Sequence, residues 1–515
     1  MGVTEYKPYV IDTGYLFPPS LADFLGSEDD VHAFREVTEH LDIGSLDSDF
    51  RGMGQHPYHP RMLLRLLMWG MVNRVVSTRR IELLARRDVS FIYLAGGQKA
   101  DFRTLARFRR RNAREVEKLF KETVLLCARL GMVNLGHLAL DGTKLKANSS
   151  KHKAMSYGRM KQEEERLGRQ IEELMRQAEE TDAEEDKKFG ANRSGYSLPD
   201  ELQRREKRLE RIRSLREQLE REKREEQHQG DGQAPAIGDR EQRSFADPDA
   251  RMMLMKRGEF DYGYNAQACT DEGHGVIVAA ELTNEASDTG HLPGMVQQVR
   301  ELRDDLGVTG TEKETAITAD SGYFSEDNIR KEGQGIELLI ASGREGKEPS
   351  AAADKGVYSV EKFEYLRESD CWKCPGGQFL VREEKTAPYG RPLLRRYVCR
   401  DCGGCHLRER CLKPGEEGRV LLVKRKQLTR AEMRSRLKKP EKQAIYRKRK
   451  WVAEQVFGQI KDGLGFRGTT VRGMEQARAQ WLLACAVHNI LKAVRYISLG
   501  RKGACQPGDM ALATG

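Results

Sequence analysis

The chain has 515 residues, 33% of them charged, and its 89 Lys and Arg against 79 Asp and Glu give a formal net charge of +10. This length predicts roughly two to four domains, and the positive charge favours an anionic partner, most commonly nucleic acid. The apolar stretch at residues 62–72 is interrupted by Arg65 and is too short to span a bilayer. Residues 1–7 lack the apolar segment of a signal peptide. These features argue against an exported protein or a membrane partner and predict a cytoplasmic, nucleoid-associated location.

Residues 1–130 are predicted to be entirely helical. His59 and Pro60 open one helix, and a later helix carries Leu105 and Phe108 on its apolar face and arginines on the other. Short helices that end in a basic helix are typical of a helix-turn-helix-like DNA-binding module. A helical dimerisation domain with a basic, solvated face fits the pattern equally well. In the first interpretation the DNA-binding residues are Arg109, Arg110 and Arg111.

The pattern then changes to short apolar strands. Strands are predicted at residues 137–145, with Asp141 closing the apolar run, and at 315–320, with Asp320 as the last residue. A β-hairpin is predicted at 262–282, a helix at 292–306 and a further strand at 336–341, which together indicate an α/β domain with a mixed sheet. Residues 158–245 interrupt this domain, and their apolar positions three, four or seven apart among Glu, Lys and Arg predict a coiled-coil hairpin.

Six of the ten cysteines fall within one short segment: Cys371, Cys374, Cys399, Cys402, Cys405 and Cys411. The first four form two Cys-x2-Cys pairs separated by a predicted β segment, which indicates a zinc ribbon with those four residues as ligands of a structural Zn²⁺. Cys405, Cys411 or His406 are alternative ligands or members of a second site. Iron–sulfur ligation and the absence of any metal are the less favoured alternatives, because Cys411 comes too late for an iron–sulfur motif and no proline follows it.

Residues 447–461 predict a helix with an apolar stripe that includes Val452, Val456 and Ile460. Glu454 is a lone acid in this helix, surrounded by candidate phosphate-binding residues: Arg447, Arg449, Lys450 and Lys461. A solvated helix with incidental ion pairs is the ordinary interpretation of such a segment. The two aspartates upstream favour a functional one.

Asp141 and Asp320 each close an apolar strand and precede a small, turn-forming residue, so their side chains are expected at the edge where α/β sheets build sites. Two carboxylates brought together repel each other unless a cation lies between them, which predicts that they bind Mg²⁺ or Mn²⁺. Glu454 would complete a site for two metals about 3.5–4 Å apart, suited to in-line displacement at phosphorus. The alternative for either aspartate alone is a turn-capping role.

With these residues the chain resembles the DDE transposases of insertion sequences, whose catalytic core has an RNase H-like fold. The resemblance rests on residues 138–144 (LALDGTK), on residues 317–323 (ITADSGY) and on Glu454 with Lys461. The Glu-x6-Lys spacing is similar to the end of the family's Tyr-x2-Arg-x3-Glu-x6-Lys signature. Two positions depart from it: Arg447 stands at the Tyr position, with Tyr446 one residue earlier, and Lys450 stands at the Arg position.

The resemblance implies that Asp141, Asp320 and Glu454 are the catalytic, metal-binding triad. It also implies a homodimer that acts on double-stranded DNA. The enzyme would cut at the inverted-repeat ends of the element and join the freed 3′-OH to target DNA by two-metal phosphoryl transfer. Two alternatives remain open: a domesticated RNase H-like nuclease on the same core, and a non-catalytic zinc-ribbon DNA-binding regulator.

The predicted organisation is an α/β protein with an RNase H-like core that carries two insertions. Its parts are a helical DNA-binding or dimerisation domain (1–130), the first part of the core (131–157), the charged coiled-coil insertion (158–245), the second part of the core (246–342), the cysteine-rich, zinc-ribbon-like insertion (343–440), the C-terminal core helices with Glu454 (441–500) and a tail (501–515).

Overall fold

The computed structural model describes residues 20–46, 56–149, 154–189, 200–227, 237–255, 258–308, 314–343, 357–383 and 394–501. These residues form a mixed α/β structure with two main sheets, one of six strands and one of five. The larger sheet carries Asp141 and Asp320, and the smaller sheet carries the cysteines.

The N-terminal part that the structure describes is helical, as the sequence predicts. Its α-helices are α1 (Asp30–Glu39), α2 (Pro60–Val72), α3 (Thr78–Leu84), α4 (Val89–Leu94), α5 (Phe102–Arg111) and α6 (Val116–Arg129). Side chains of Asp29, His59, Asp88 and Asp101 accept hydrogen bonds from backbone N–H groups in the first turns of α1, α2, α4 and α5. The predicted helix start at His59 and Pro60 is thereby confirmed.

Two long helices follow the first strands of the core. The elements in this part are β1 (His137–Lys146), β2 (Ala154–Ser156), α7 (Tyr157–Phe189) and α8 (Asp200–Gln227). Glu164 of α7 pairs with Arg213 at 2.9 Å and with Arg216 at 2.7 Å, and the Tyr157 hydroxyl donates to Glu220 at 2.9 Å. This order of contacts makes α7 and α8 antiparallel, with a buried apolar seam between them. Residues 190–199, between these two helices, lie outside the described residues.

The central sheet is mixed. The remaining elements of this part are β3 (Gln242–Ser244), β4 (Arg251–Leu254), β5 (Phe260–Asp271), β6 (Ile277–Thr283), α9 (Leu292–Asp305), β7 (Thr315–Ala319), α10 (Glu326–Ile329) and β8 (Ile336–Ile340). β5 pairs antiparallel with β1 along one edge and with β6 and β4 along the other, whereas β1, β7 and β8 run parallel. β2 and β3 form a separate two-stranded ribbon. The predicted strands and the helix at 292–306 agree with these bounds to within a few residues.

The end of β1 differs from the sequence prediction. The apolar run closes at Asp141, but β1 continues to Lys146, and Asp141 is paired with Ala268 of β5. The reason is the length of β5, which has 12 residues and keeps hydrogen-bonding β1 beyond the apolar run. β7 pairs only with residues 137–139 of β1, so one neighbour of β1 ends just before Asp141.

The cysteine-rich part forms its own antiparallel sheet. Its elements are β9 (Glu364–Leu366), β10 (Cys371–Lys373), β11 (Phe379–Glu383), β12 (Arg395–Cys399), α11 (Arg408–Cys411), β13 (Arg419–Val423) and α12 (Arg425–Lys438). The strands pair in the order β13-β12-β11-β10-β9, and each pairs antiparallel with its neighbour in the chain. A separate hydrophobic cluster that includes Tyr365, Trp372, Leu380 and Tyr397 stabilises this sheet.

Two helices complete the core. α13 (Pro440–Gly458) runs into one π-helical turn (Gln459–Gly463), and α14 (Met474–Arg501) packs against α6, β6 and α1. One continuous cluster of buried residues joins the N-terminal helices, the central sheet and α14. Among the described residues, Met474–Leu499 is long and apolar enough to cross a membrane, a property that the sequence analysis missed. Because 61% of its apolar window is buried inside the fold, α14 is accounted for as a core helix.

Replacing Trp481 by Ala is expected to lower the free energy of unfolding by about 3–5 kcal/mol. The Trp481 ring is fully buried between Phe457 and Phe466, with ring centroids 6.4 and 6.5 Å away, and its indole N–H donates to the Gln267 carbonyl at 3.3 Å. Trp451→Ala is the matched control, because Trp451 is 59% exposed and its loss should change stability by only about 0.5 kcal/mol. Urea unfolding followed by circular dichroism measures both, and equal losses would contradict the assignment of α14 to the core.

Candidate active site

Asp141 and Asp320 lie side by side at one edge of the central sheet. Asp320 directly follows β7, and the parallel register pairs Ala139 of β1 with Thr318 of β7. Continuing that register by two residues places Asp141 level with Asp320. The two predicted carboxylates are therefore brought together by the pairing of β1 with β7.

Burial and local charge both act on Asp141. Burial raises the pKa of the Asp141 carboxyl to about 6, while the hydrogen bond from the Gly142 N–H and the charge of Arg449 lower it. The negative charges of Asp320 and Asp288 raise it further. One oxygen of each predicted aspartate accepts a backbone hydrogen bond, from Gly142 at 2.9 Å and from Gly322 at 2.8 Å. A cation near these carboxylates would favour their charged forms.

A third acid, Asp288, lies close to Asp141 and Asp320, and the sequence pattern did not predict it. It lies in the connection between β6 and α9, and its Oδ1 accepts hydrogen bonds from Asn265 (2.7 Å), Gln267 (2.9 Å) and Lys144 (3.2 Å). Burial raises the pKa of Tyr323 well above its usual value, and the charges of Asp288, Asp141 and Asp320 raise it further. The local sequence pattern cannot identify Asp288 as a neighbour of the aspartates. Its contact with Lys144 joins residues 144 positions apart.

Glu454 is on the helix that crosses this edge, but its carboxylate is not with the two aspartates. Its side chain is 65% exposed and pairs with Lys450 at 3.8 Å. The preceding residue, Ala453, is buried against Ala139 of β1. Among the described residues, no group of three or more His, Cys, Asp or Glu side chains is arranged to hold a metal ion. The structure thus brings Asp141 and Asp320 together and leaves Glu454 on the exposed side of α13.

Tyr446 and Arg449 are the α13 side chains that face the aspartates. The Tyr446 hydroxyl donates to the carbonyl of Ala319, which precedes Asp320, at 3.3 Å. The Arg449 guanidinium lies 3.9 Å from Asp141 Oδ2 and 5.8 Å from the centre of the Tyr446 ring. Tyr446 and Arg449 have the Tyr-x2-Arg spacing, and counting forward from Arg449 places Ala453 at the Glu position of the signature. Since successive helical residues are about 100° apart, Glu454 is displaced from the side of α13 that packs on β1.

The other cations predicted on this segment occupy different environments. Lys461 in the π-helical turn donates to the hydroxyl of Thr143 and lies 3.4 Å from the Lys144 carbonyl, so it borders β1 just beyond Asp141. Arg447 and Lys450 are exposed on α13. Lys461 and Arg449 therefore flank the Asp141 region of β1, whereas Arg447 and Lys450 face solvent.

The three arginines predicted on α5 are not equivalent. Arg110 and Arg111 are exposed, and the Arg110 carbonyl accepts a hydrogen bond from Gln476 at the start of α14 at 3.1 Å. Arg109 is only partly accessible, and burial, followed by the charge of Arg110, lowers its pKa. Arg110 and Arg111 are therefore accessible at the surface of α5, whereas Arg109 is less accessible.

Five of the six clustered cysteines line one small cavity of about 20 Å³: Cys374, Cys399, Cys402, Cys405 and Cys411. Burial raises the pKa of Cys399 to about 12, and its hydrogen bond with Cys402 adds to that rise. The sixth, Cys371, is not among the lining residues, and its sulfur lies 3.0 Å from the Ser369 hydroxyl. Cys371 is a strand residue paired with Val381, whereas Cys374 follows β10 in the turn towards β11, so the two point to different places.

Two parts of the chain match families of known proteins. Residues 371–494 match the family described as "Transposase DDE domain", and residues 22–111 match "Transposase domain (DUF772)". No curated protein matches the chain. A solved structure, a cryo-EM piggyBac transposase synaptic complex with hairpin DNA, aligns with 93% of this chain and 73% of its own at 11% identity. Its TM-score of 0.29 is too low for an argument about fold or function.

The two family matches agree with the order of the site residues along the chain. The first includes α13 with Glu454 and all six clustered cysteines, and the second includes α5. Asp141 and Asp320 lie between the two matched parts, on the sheet that α13 crosses. Both family matches support an insertion-sequence DDE transposase.

Proposed function

We propose that this transposase cuts double-stranded DNA at the ends of its insertion sequence and joins the 3′-OH to target DNA. Asp141, Asp320 and Glu454 would be the catalytic residues. The observation that carries the proposal is the level placement of Asp141 and Asp320 at one sheet edge, beneath the helix that bears Glu454. A partly buried carboxylate such as Asp141, whose pKa is raised by burial and by the charge of a neighbouring carboxylate, is typical of a cation site.

The donor chemistry of this edge fits the divalent metal that such transposases use. Carboxylate oxygens are the ligands that Mg²⁺ and Mn²⁺ prefer, and Asp141 and Asp320 each have one oxygen held by a backbone N–H. Bound metal would supply the charge that activates the attacking oxygen and stabilises the developing charge at phosphorus. The two aspartates would hold it, and Arg449 would fix the orientation of Asp141 through their 3.9 Å contact.

The ion pair that Glu454 forms in this structure is weak. Its present partner is Lys450, and both side chains are largely exposed. Exposed pairs of this kind contribute about 0.2–1 kcal/mol. A phosphate of the bound DNA would compete for Lys450, and the released Glu454 carboxylate would then be attracted by a cation at Asp141 and Asp320.

The basic residues around the edge would hold the DNA backbone. Lys461 and Arg449 flank β1, and Arg447 and Lys450 extend the positive surface along the exposed side of α13. Arg110 and Arg111 at the end of α5 would supply a second contact, remote from the chemistry. Contacts of this kind bind phosphate without reading sequence, and their strength falls steeply with salt.

The sheet order and the long helices α7 and α8 support further proposals about the fold and the oligomeric state. The sheet order β6-β5-β1-β7-β8, antiparallel and then parallel about β1, supports an RNase H-like core. The antiparallel pair α7 and α8 supports a coiled-coil insertion, which would be a surface for homodimer formation. Action on the cell's own DNA would place the enzyme at the nucleoid in the cytoplasm.

We also propose that the cysteine cavity holds a structural Zn²⁺, although the described cysteines are not arranged around a metal ion in this structure. The cavity is small, about 20 Å³, and five cysteines from three chain segments line it. Cys374, Cys399 and Cys402 would bind the ion with Cys405 or Cys411 as the fourth ligand. A cation would favour the thiolate forms, which burial and mutual proximity otherwise disfavour at Cys399. Cys371 is left out of the ligand set.

Each of the substitutions Asp141→Asn, Asp320→Asn and Glu454→Gln is expected to reduce Mg²⁺-dependent cleavage by more than about 100-fold, because each removes a charged metal ligand. The assay measures strand cleavage and strand transfer on duplexes that carry the element's ends. Asp261→Asn is the matched control, since Asp261 pairs with Lys146 at 2.8 Å on neighbouring strands outside the site.

Full activity in all three variants would refute the proposed function. Full activity in Glu454→Gln alone would remove Glu454 from the triad. Cleavage without strand transfer in the unmodified protein would identify a nuclease on the same core, and binding without cleavage would identify a regulator.

Arg110→Ala is expected to weaken DNA binding and to reduce the slope of log affinity against log salt by about 1, because it removes one phosphate contact. Arg109→Ala is the matched control on the same helix, and its slope should stay unchanged because Arg109 is set back from the surface. Fluorescence anisotropy with duplex DNA over a range of salt concentrations gives both slopes. A larger effect at Arg109 than at Arg110 would contradict this assignment.

Cys374→Ser and Cys402→Ser are expected to purify without zinc, whereas Cys371→Ser should retain the stoichiometry of the unmodified protein. The reason is that the sulfurs of Cys374 and Cys402 face the cavity and that of Cys371 faces Ser369. Mass-spectrometric metal analysis of the purified proteins makes the measurement. Loss of zinc in Cys371→Ser would restore Cys371 to the ligand set, and an unmodified protein without zinc would refute the site.

A further inference from the structure

We propose that Asp288 is a positioning residue that sets the separation of Asp141 and Asp320 and thereby controls the affinity of the site for its divalent metal. The inference rests on the proposed function in one respect, the identity of Asp141 and Asp320 as metal ligands. No strand-end pattern or family signature marks Asp288. Its role follows from contacts with the two segments that carry Asp141 and Asp320.

The Asp288 carboxylate is packed between the two glycines that accompany the aspartates. A Cβ on Gly142, the residue after Asp141, would lie 3.1 Å from Asp288 Oδ1 and 2.7 Å from the Gln267 amide nitrogen. A Cβ on Gly322, in the turn after Asp320, would lie 3.4 Å from Asp288 Oδ2. The absence of side chains at both positions lets one carboxylate touch both segments at once.

Hydrogen bonds fix this carboxylate to the strands. Its Oδ1 accepts from Lys144 of β1 and from Asn265 and Gln267 of β5. The Gln267 side chain in turn accepts a hydrogen bond from the hydroxyl of Tyr323, in the turn that follows Asp320. A chain of contacts therefore runs from the Asp141 strand through Asp288 and Gln267 to the Asp320 turn.

The loop that carries Asp288 is also tied directly to the Asp320 turn. The Thr289 hydroxyl donates to the carbonyl of Gly322 at 2.7 Å. The Asn328 side-chain amide donates to the carbonyls of Thr289 and Tyr323, each at 2.7 Å. The loop cannot move relative to Asp320 without breaking these bonds, so the position of Asp288 is transmitted to both aspartates.

A carboxylate is the group that this position requires. Three N–H donors converge on one oxygen, and an ionised carboxylate accepts without donating. These donors use the acceptor capacity of Oδ1, so this oxygen has a supporting role. Loss of a supporting group that orients metal ligands typically costs about 10- to 100-fold in metal affinity.

The test compares Asp288→Ala and Asp288→Asn with Asp261→Asn, the carboxylate–lysine pair of the neighbouring strands. Mn²⁺ binding to the full-length protein without DNA is measured by electron paramagnetic resonance, with Asp141→Asn as the reference for loss of the site. Asp288→Ala should weaken Mn²⁺ binding about 10- to 100-fold. Asp288→Asn keeps the shape and one acceptor oxygen, so it should fold normally and weaken binding less. Asp261→Asn should bind as the unmodified protein does.

A second measurement separates positioning from general stability. The concentration of Mg²⁺ that gives half-maximal end cleavage should rise in Asp288→Ala by the same factor as the Mn²⁺ dissociation constant, and saturating Mg²⁺ should restore most of the maximal rate. A loss of maximal rate or of thermal stability with unchanged metal affinity in both Asp288 variants would overturn the proposal. An unmodified protein that binds Mn²⁺ in an Asp288-dependent way but cuts no DNA would support the positioning role and refute the proposed function.

Discussion

The pairing of β1 with two unequal neighbours is the constraint on which the site depends. β5 keeps β1 extended beyond Asp141, while β7 ends one residue before Asp320 and leaves that edge open. The two aspartates are thereby held level in a partly buried place, where the charge of Asp320 raises the pKa of Asp141. Arg449, Lys144 and Lys461 supply fixed positive charge around them. A bound divalent metal would supply the remaining positive charge.

In helix α13, a difference of one position along the chain decides which side chain faces the sheet and which faces solvent. Val452, Ala453 and Val456 pack inward, and Tyr446 and Arg449 reach the backbone before Asp320 and the carboxylate of Asp141. Glu454 follows the buried Ala453 and is turned towards solvent and Lys450. A glutamate in this position is held only by a weak surface pair with Lys450.

The same helix-and-sheet edge recruits residues from distant parts of the chain. Asp288 lies in the connection after β6, and its carboxylate accepts hydrogen bonds from Lys144 of β1 and Gln267 of β5. In the small sheet, the chain turns after β10, so Cys374 lines the cavity with four other cysteines while Cys371 stays on the strand. At Asp288 and at the cysteine cavity, the position of a turn decides which side chains come together, and the residue types alone do not.

The sequence by itself determined the order and approximate bounds of the helices and strands, since burial periodicity and capping residues act locally. It also identified Asp141 and Asp320 as candidate site residues, because an acid at the end of an apolar run can be recognised from the sequence pattern alone. Only the tertiary structure decided that β1 continues past Asp141, that Asp288 joins the site, that Glu454 faces solvent and that Cys371 is outside the cysteine cavity. Each of these depends on a pairing register, a helix rotation or a turn that is set by contacts between residues far apart in the chain.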